Sequence, residues 1–474
     1  MTDIKTKDDK SHLVNVSLVY AEHDEPEIAG KDAPAVVTDA VFGEIDSKGP
    51  NYRNVGWIGS AIIMIKATIG IGVLGIPFCF QVLGMVPGII CLIAVEVVVT
   101  WANWSLGQFK LKHPEVYSMA DAAGVMFGRT GYWAMWFMWT ISMISASGFC
   151  MVSLSVAFNA VSVHAACTSV FVAVSAVVAI LCASIRTLGH ITWIGWAGVL
   201  SIMVSILTLT IAVGVQERPA LAPQEGPWDK NVLVVGHPPF GTGVVMVSSF
   251  LLSVAATPTF LGILCEMRDH RMYNRAMYIS QASTSIVYID IGSVVYHFCG
   301  QYVSSPALGS AGPLLKRICY GLAIPGLVAT VTIYLHVVAK MVFVLLLRGS
   351  KLLTSNSAVH WGIWLSCTTG CGLIGFILAQ SIPVFPQYMG LNGSFFPPWT
   401  SLIPCACMWL HDNWRGKPRE RTLGVKLHAT FAVVVLLCGL FLCGAGTYGA
   451  INDIVASSKG QAWSCKDNSG SVSD

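Results

Sequence analysis

The sequence predicts an all-α integral membrane protein of about eleven transmembrane helices, built as two five-helix halves plus one further helix. Three observations predict it. Of its residues, 54% are hydrophobic and only 11% charged, against roughly a quarter charged in soluble domains. Apolar blocks recur from Trp57 to Ala450, each near the length of about 20 residues that a helix needs to cross a hydrocarbon core about 30 Å thick. Two of these blocks, the first and the sixth, contain residues that break helices.

The blocks fall at 57–83, 86–108, 132–158, 169–185, 190–214, 243–265, 277–300, 319–347, 360–384, 387–410 and 425–450. The stretch SIPVFPQYMGLNGSFFPP separates the ninth from the tenth. Between the second and third lies MADAAGVMFG (Met119–Gly128), a short amphipathic piece that reads either as a helix on the membrane surface or as a plain connector. One set of loops holds Lys110, Lys112, Arg129, Arg186, Arg268, Arg271, Arg275, Arg348, Lys351, Arg415, Lys417, Arg419, Arg421 and Lys426, fourteen cations. The opposite set holds six: Arg218, Lys230, Lys316, Arg317, Lys459 and Lys466. Positive loops stay inside, which puts the N-terminus in the cytoplasm and, after an odd number of spans, residues 451–474 outside as a short tail. Trp57, Trp101, Trp104, Trp133, Trp193, Trp361, Trp409 and Trp414 lie near the predicted helix ends, where amphipathic rings favour the membrane interface.

Residues 1–56 hold 11 of the 25 acidic residues. Such a polar segment buries too little apolar surface to order itself and has no signal-peptide core, so a disordered cytoplasmic tail is expected, with Lys5, Lys7 and Lys10 as modification candidates. Most of the 15 cysteines, Cys91, Cys150, Cys182, Cys265 and Cys443 among them, sit in apolar runs, where cysteine packs as a small hydrophobe. Cys167 and Cys465 fall on the far side, where a disulfide can form. No paired C-x-x-C points to zinc, and no metal, cofactor or nucleic-acid partner is expected.

The first span contains IKATIGIGVLGIP (Ile65–Pro77), with Lys66, Gly70, Gly72, Gly75 and Pro77 inside an apolar run. Unwound backbone in hydrocarbon leaves peptide groups unsatisfied at several kcal/mol each, so it survives only where it is buried in protein or lines a cavity. Glycine lets the backbone turn and a ligand approach it; it also serves plain helix packing. The sixth span contains SVAATPTFLG (Ser253–Gly262), with Pro258 near its centre, where proline removes a donor and crowds the preceding turn. Interruptions at corresponding positions of two halves mark a transporter site at mid-membrane. There the N-terminal end of one half-helix suits a carboxylate, and the carbonyls ending another suit an ammonium.

These stretches resemble a known family. GIGVLGIP (Gly70–Pro77), followed by LGMVPG (Leu83–Gly88), is similar to the first-helix signature of the amino acid/auxin permeases of the APC superfamily. FLLSVAATPTFLGILCEMRD (Phe250–Asp269) is similar to their sixth helix, and DAVFGEIDSKGPNYRNVGW (Asp39–Trp57) resembles the fungal neutral amino acid permease subgroup. The likeness runs from about Asp39 to Ala450. It implies a LeuT-like fold of five-plus-five inverted repeats with an extra eleventh helix, and proton-coupled uptake of neutral amino acids at the plasma membrane, the vacuole being the alternative. It also implies a carboxylate site on Gly70, Ile71, Gly72 and Val73, and an amino-group site on carbonyls around Ser253, Val254, Ala255 and Ala256. The sixth helix lacks the glycine that relatives often carry at the break, so Thr257 and Pro258 are expected to supply the irregularity.

The rest of the pocket is expected from Ser145, Ser147, Gly148 and Phe149 on the third span and from Thr330 and Thr332 on the eighth. None is charged, which fits an uncharged substrate side chain. Apolar pockets discriminate by only about 1–3 kcal/mol per methylene, so both aliphatic and aromatic substrates are expected. Ionisable groups deep in the spans are costly and therefore functional candidates: Lys66, Glu96, Asp290, His297, His336 and Lys340. Related transporters hold sodium between the first and eighth helices near the turn that Lys66 occupies. Its ammonium could replace that ion, and Glu96 could pair with it or carry a proton. Asp290 and His297 share a face of the seventh helix; Lys340 can snorkel, and His336 reads as a satisfied core histidine. A channel would need polar rings through several helices. An enzyme would need clustered catalytic groups at the membrane surface, and no H-E-x-x-H occurs. An amino acid sensor of the same fold is the remaining alternative.

Overall fold

The structure, a computed structural model, describes residues 37–39, 43–45, 55–185, 188–347, 357–414, 422–456 and 462–472, with side chains of 37–39, 43–45 and 188–195 excepted. Lys5, Lys7 and Lys10, and seven of the fourteen cations used for orientation, lie outside the described residues. The chain divides into Met1–Pro50 and Asn51–Asp474. In the first unit two short antiparallel strands, β1 (Val37–Asp39) and β2 (Gly43–Ile45), pair Val37 with Ile45, an element absent from the sequence reading.

In the second unit the described residues form fifteen α-helices that chain continuity groups into eleven rods. The first is α1 (Trp57–Thr68), a 3-10 turn over Ile71–Gly75, and α2 (Ile76–Leu83), bent by 44°. The second to fifth are α3 (Met85–Lys112), α4 (Met119–Ser162), α5 (Thr168–Ala183) and α6 (Leu188–Val215). The sixth is α7 (Phe240–Val254) with α8 (Thr257–Glu266). The seventh to ninth are α9 (Tyr273–Cys299), α10 (Pro313–Leu347) and α11 (Ala358–Ser381). The tenth joins α12 (Phe385–Pro397) to α13 (Ile403–Trp414), and the eleventh joins α14 (Leu423–Phe441) to α15 (Thr447–Ala456), each pair through a π turn.

Among the described residues, seven continuous stretches, or eight with the bent first pair counted as one, are long and apolar enough to span a bilayer by themselves. The seventh rod falls short because Ser280, Gln281, Thr284 and Tyr288 turn a polar stripe into the protein. The piece Met119–Gly128 is a short helical segment, set off from the third span by the non-helical backbone of Gly128 (φ 69°, ψ −159°). Ser118 and Asp121 form a reciprocal capping box, which satisfies the open N–H groups of a helix start, and the helix then bends at Gly128 (φ 69°) into the third span.

Helix contacts sort the rods into two groups. The first, second, sixth and seventh pack together, α9 touching α1, α2 and α3, and α7 touching α2 and α3. The third, fourth, eighth and ninth form the other, α10 and α11 both lying on α4 and α5. Each group takes the first two, or the third and fourth, members of each five-helix half, which is the pairing a five-plus-five repeat requires.

Residues 462–472 lie against the protein, held by a disulfide between Cys167 and Cys465. Trp463 N–H donates to Gln380 O (3.1 Å), Asn159 Nδ2 to Asn468 Oδ1 (2.7 Å) and Lys316 Nζ to Ser469 O (2.6 Å). Burial alone would raise the Asp467 carboxyl, but donors from Ser469, Ser471 and Val472 hold it below the usual carboxylate range. A cavity of about 260 Å³ separates this tail from Phe78, Val384 and Pro386. A native disulfide is typically worth about 2–4 kcal/mol. Cys465→Ala should therefore lower the thermal unfolding midpoint and speed proteolysis of the tail; an unchanged midpoint would show that the noncovalent contacts suffice.

Candidate functional site

Helix α1 ends because Ile69 leaves the helical region (φ −75°, ψ 93°) while its N–H still reaches Ile65 O at 2.8 Å. Gly70 (φ −131°, ψ −147°) redirects the chain, and Ile71 begins the 3-10 turn. The N–H groups of Gly70, Ile71 and Gly72 open this second half and have no acceptor within it by position. In the sixth rod the link is Ala255 (φ −86°, ψ 83°) and Ala256 (φ −101°, ψ 23°), not Thr257 and Pro258. Neither φ is positive, so alanine suffices at this break. Pro258 instead sits in the first turn of α8, where its missing N–H costs nothing.

The two breaks meet. Ser253 Oγ lies 3.2 Å from Gly72 O and 2.9 Å from Ser249 O. A Cβ built on Gly72 would stand 2.8 Å from Ser253 Cα, so only glycine allows this approach. Between the carbonyl ends of the two first halves stands the hydroxyl of the fully buried Tyr288 on α9, 2.9 Å from Thr68 O and 3.0 Å from Ser253 O. It carries one proton, donates to one carbonyl at a time and stays within reach of the other. Sequence reasoning missed this residue. The usable signal was the run Ser280, Gln281, Thr284, Tyr288, a polar stripe at helical spacing in an otherwise apolar rod.

A cavity of about 130 Å³ opens at the breaks. Of the twelve residues expected to contact substrate, Gly70, Ile71, Gly72, Ser253, Ala255, Ala256 and Phe149 line it. Val73 and Val254 are buried in the core instead. The Thr257 hydroxyl bonds with that of Ser401, Ser147 Oγ donates to Ile144 O (2.7 Å), and Thr330 Oγ1 donates to Gly326 O (2.8 Å). Their hydroxyls are consumed by neighbouring backbone or by another span, which sequence position does not disclose.

The wall that was missed comes from three elements. Helix α4 contributes Trp139, Ser142 and Met143, below the predicted segment; α10 contributes Tyr334, one turn beyond Thr330. The tenth rod contributes Asn392, Phe396 and Thr400, spaced four apart and therefore on one helical face. Ser145 Oγ holds the Asn392 side chain at 2.6 Å. Among the described residues, no Asp, Glu, Lys, Arg or His lines the cavity. Toward the tail, Phe149 packs against Phe385 (4.9 Å between centroids) and Tyr388 (5.8 Å), forming an aromatic roof.

The ionisable groups are placed apart from one another. Lys66 Nζ sits 4.6 Å from the centroid of the Trp196 ring on α6, a cation–π contact. Glu96, 4% exposed, accepts from Gln281 Nε2 (3.3 Å), not from Lys66. Asp290 is exposed, on the side of α9 away from Tyr288, and His297 and Lys340 are exposed too. His336 Nδ1 lies 3.2 Å from Ala183 O, with its ring edge-on to Trp364.

Residues 53–452 match the family model described as transmembrane amino acid transporter protein. A protein of Gibberella moniliformis named transmembrane transporter is 32% identical over 449 residues, covering 94% of each chain. The N amino acid transport system protein of Neurospora crassa is 28% identical over 410 residues, covering 85% of this chain and 86% of its own. Among solved structures, that of MhsT in complex with L-phenylalanine aligns with a TM-score of 0.49 at 11% identity, over 81% of this chain and 98% of its own.

Proposed function

Because this chain belongs to the family of transmembrane amino acid transporter proteins, we propose that it imports neutral amino acids, aliphatic and aromatic, by proton symport across the plasma membrane. It is a multi-pass membrane protein, and the family is one of amino acid transporters. The observation that carries the reading is the meeting of two interrupted spans at an uncharged cavity. A zwitterion brings both charges itself. The N–H groups of Gly70, Ile71 and Gly72 suit its carboxylate, and carbonyls at Ser253 and Ala255 suit its ammonium. What remains of the lining is apolar, aromatic, hydroxyl-bearing or, at Asn392, a neutral amide, which fits a side chain without charge. The name of the Neurospora relative supports an amino acid as cargo.

Alternating access then means moving the aromatic roof over Phe149 on one side and the wall of Trp139, Phe396 and Thr400 on the other. Glu96 is the proton carrier in this reading, since a carboxyl buried in a span is held there at a cost that function must justify. The test is uptake of a labelled amino acid panel into vesicles, with and without a proton gradient and with choline replacing sodium. Neutral amino acids should accumulate with the gradient and in choline. Accumulation unaffected by a protonophore would overturn proton symport, and preference for charged amino acids would overturn the substrate class.

A further inference from the structure

Three side chains that no motif connects come together where the second and tenth rods end. His113 follows α3, and His411 and Asp412 lie in the last turn of α13, on the same membrane face. His113 Nε2 is 2.9 Å, and His411 Nδ1 3.2 Å, from the same Asp412 oxygen, Oδ1. All three donor atoms fall within 4.8 Å of one another. We infer that His113, His411 and Asp412 form a binding site for a divalent transition metal ion of the zinc class.

The donor set is that of an open zinc site, with three protein ligands and a fourth position for water. Ligands about 2.0–2.2 Å from one ion stand about 3.4 Å apart, so an ion needs shifts of only about an ångström here. The surroundings supply a second, independent feature. The other ring nitrogen of His113, Nδ1, faces Glu115 Oε1 at 3.5 Å. That is ion-pair distance rather than a hydrogen bond; closing to one would fix the tautomer whose opposite nitrogen binds metal. Asp412 is 6% exposed and the histidines about one-fifth, enough shelter to hold an ion and enough opening to admit one. Phe109 stacks on His113 at 4.3 Å and limits its swing.

Lys112 competes for the same carboxylate, 3.7 Å from Asp412 Oδ2. It is half exposed, and its ammonium also reaches Asn413 Oδ1 at 3.2 Å, so the cation has a second resting place. An ion at this site would tie the ends of the second and tenth rods together. The second rod belongs to the group that carries both breaks, and the tenth forms the cavity wall at Asn392, Phe396 and Thr400.

The test uses the full chain, free of any affinity tag, in lipid nanodiscs. ZnCl2 is titrated against a chromophoric chelator, and CoCl2 replaces zinc for its visible spectrum. One equivalent of zinc should bind. His113→Ala and His411→Ala should each weaken binding at least tenfold, and Glu115→Ala about 10- to 100-fold. Lys112→Gln should tighten it, because a rival cation is gone. The last two variants stand outside the ligand set and separate metal binding from a folding defect. Absence of a stoichiometric equivalent at micromolar zinc, affinity unmoved by His113→Ala or His411→Ala, or a thiolate charge-transfer band in the cobalt spectrum would each overturn the site.

Discussion

Gly72→Ala should reduce amino acid uptake at least tenfold while the protein still reaches the membrane. The added methyl would lie 2.8 Å from Ser253 Cα and 2.8 Å from Ser253 Oγ, closer than carbon atoms pack. Backbone must yield, and inserting a methyl into a packed site costs about 1–3 kcal/mol. That strain falls between the two interrupted spans, whose spacing sets the separation of the groups proposed to hold carboxylate and ammonium. Gly70→Ala is the internal control: a Cβ there meets nothing within 4 Å, so the breaks stay together and any loss reflects crowding of the cavity alone. Surface quantification with uptake of a labelled neutral amino acid reads both variants. Wild-type uptake by Gly72→Ala would mean that the close contact does not matter to the transport step.

Tyr288→Phe should have the next largest effect. It keeps the ring, which is fully buried, and removes only the hydroxyl shared by Thr68 O and Ser253 O. Two buried carbonyls then lose the single donor they share, and a buried acceptor left unsatisfied costs about 1–3 kcal/mol, equivalent to about 5- to 150-fold in an equilibrium. The loss falls on the ends of both first half-helices, so uptake should drop within that range and the thermal unfolding midpoint should fall with it. A sodium ion could answer exposed carbonyls in the same way, so the variant should also be assayed with and without sodium. Uptake by Tyr288→Phe equal to wild type would remove the hydroxyl from any role at the breaks.

Much of the fold was legible in the sequence because membrane physics is stringent. Every peptide group in hydrocarbon must be bonded within its own helix, so apolar length marks the rods, and a glycine or proline cluster within that length marks a break. The seventh rod, too polar to pass as a span by composition, was still found at 277–300 and runs over Tyr273–Cys299. The piece at Met119–Gly128 was open between a surface helix and a connector, and its capping box and the kink at Gly128, which hydropathy does not see, make it a short helix ahead of the third span. The site was legible along the broken segments themselves. Seven expected residues line the cavity, six of them on the two breaks and only Phe149 from the remaining wall.

By itself, then, the chain's order of residues determined that the first and sixth rods are interrupted, and to within a few residues where, because the energetic penalty for doing so in lipid is local. Tertiary structure alone decided which polar side chains answer those breaks. Tyr288, Asn392 and Thr400 reach the cavity region from rods far away in sequence, whereas Ser147 and Thr330 spend their hydroxyls on carbonyls of their own helices. A helix rotation of a few tens of degrees separates those outcomes, and it is fixed by packing against neighbours. The same holds for Lys66 and Glu96: similar depth suggested a pair, and the orientation of their helices sends one to Trp196 and the other to Gln281.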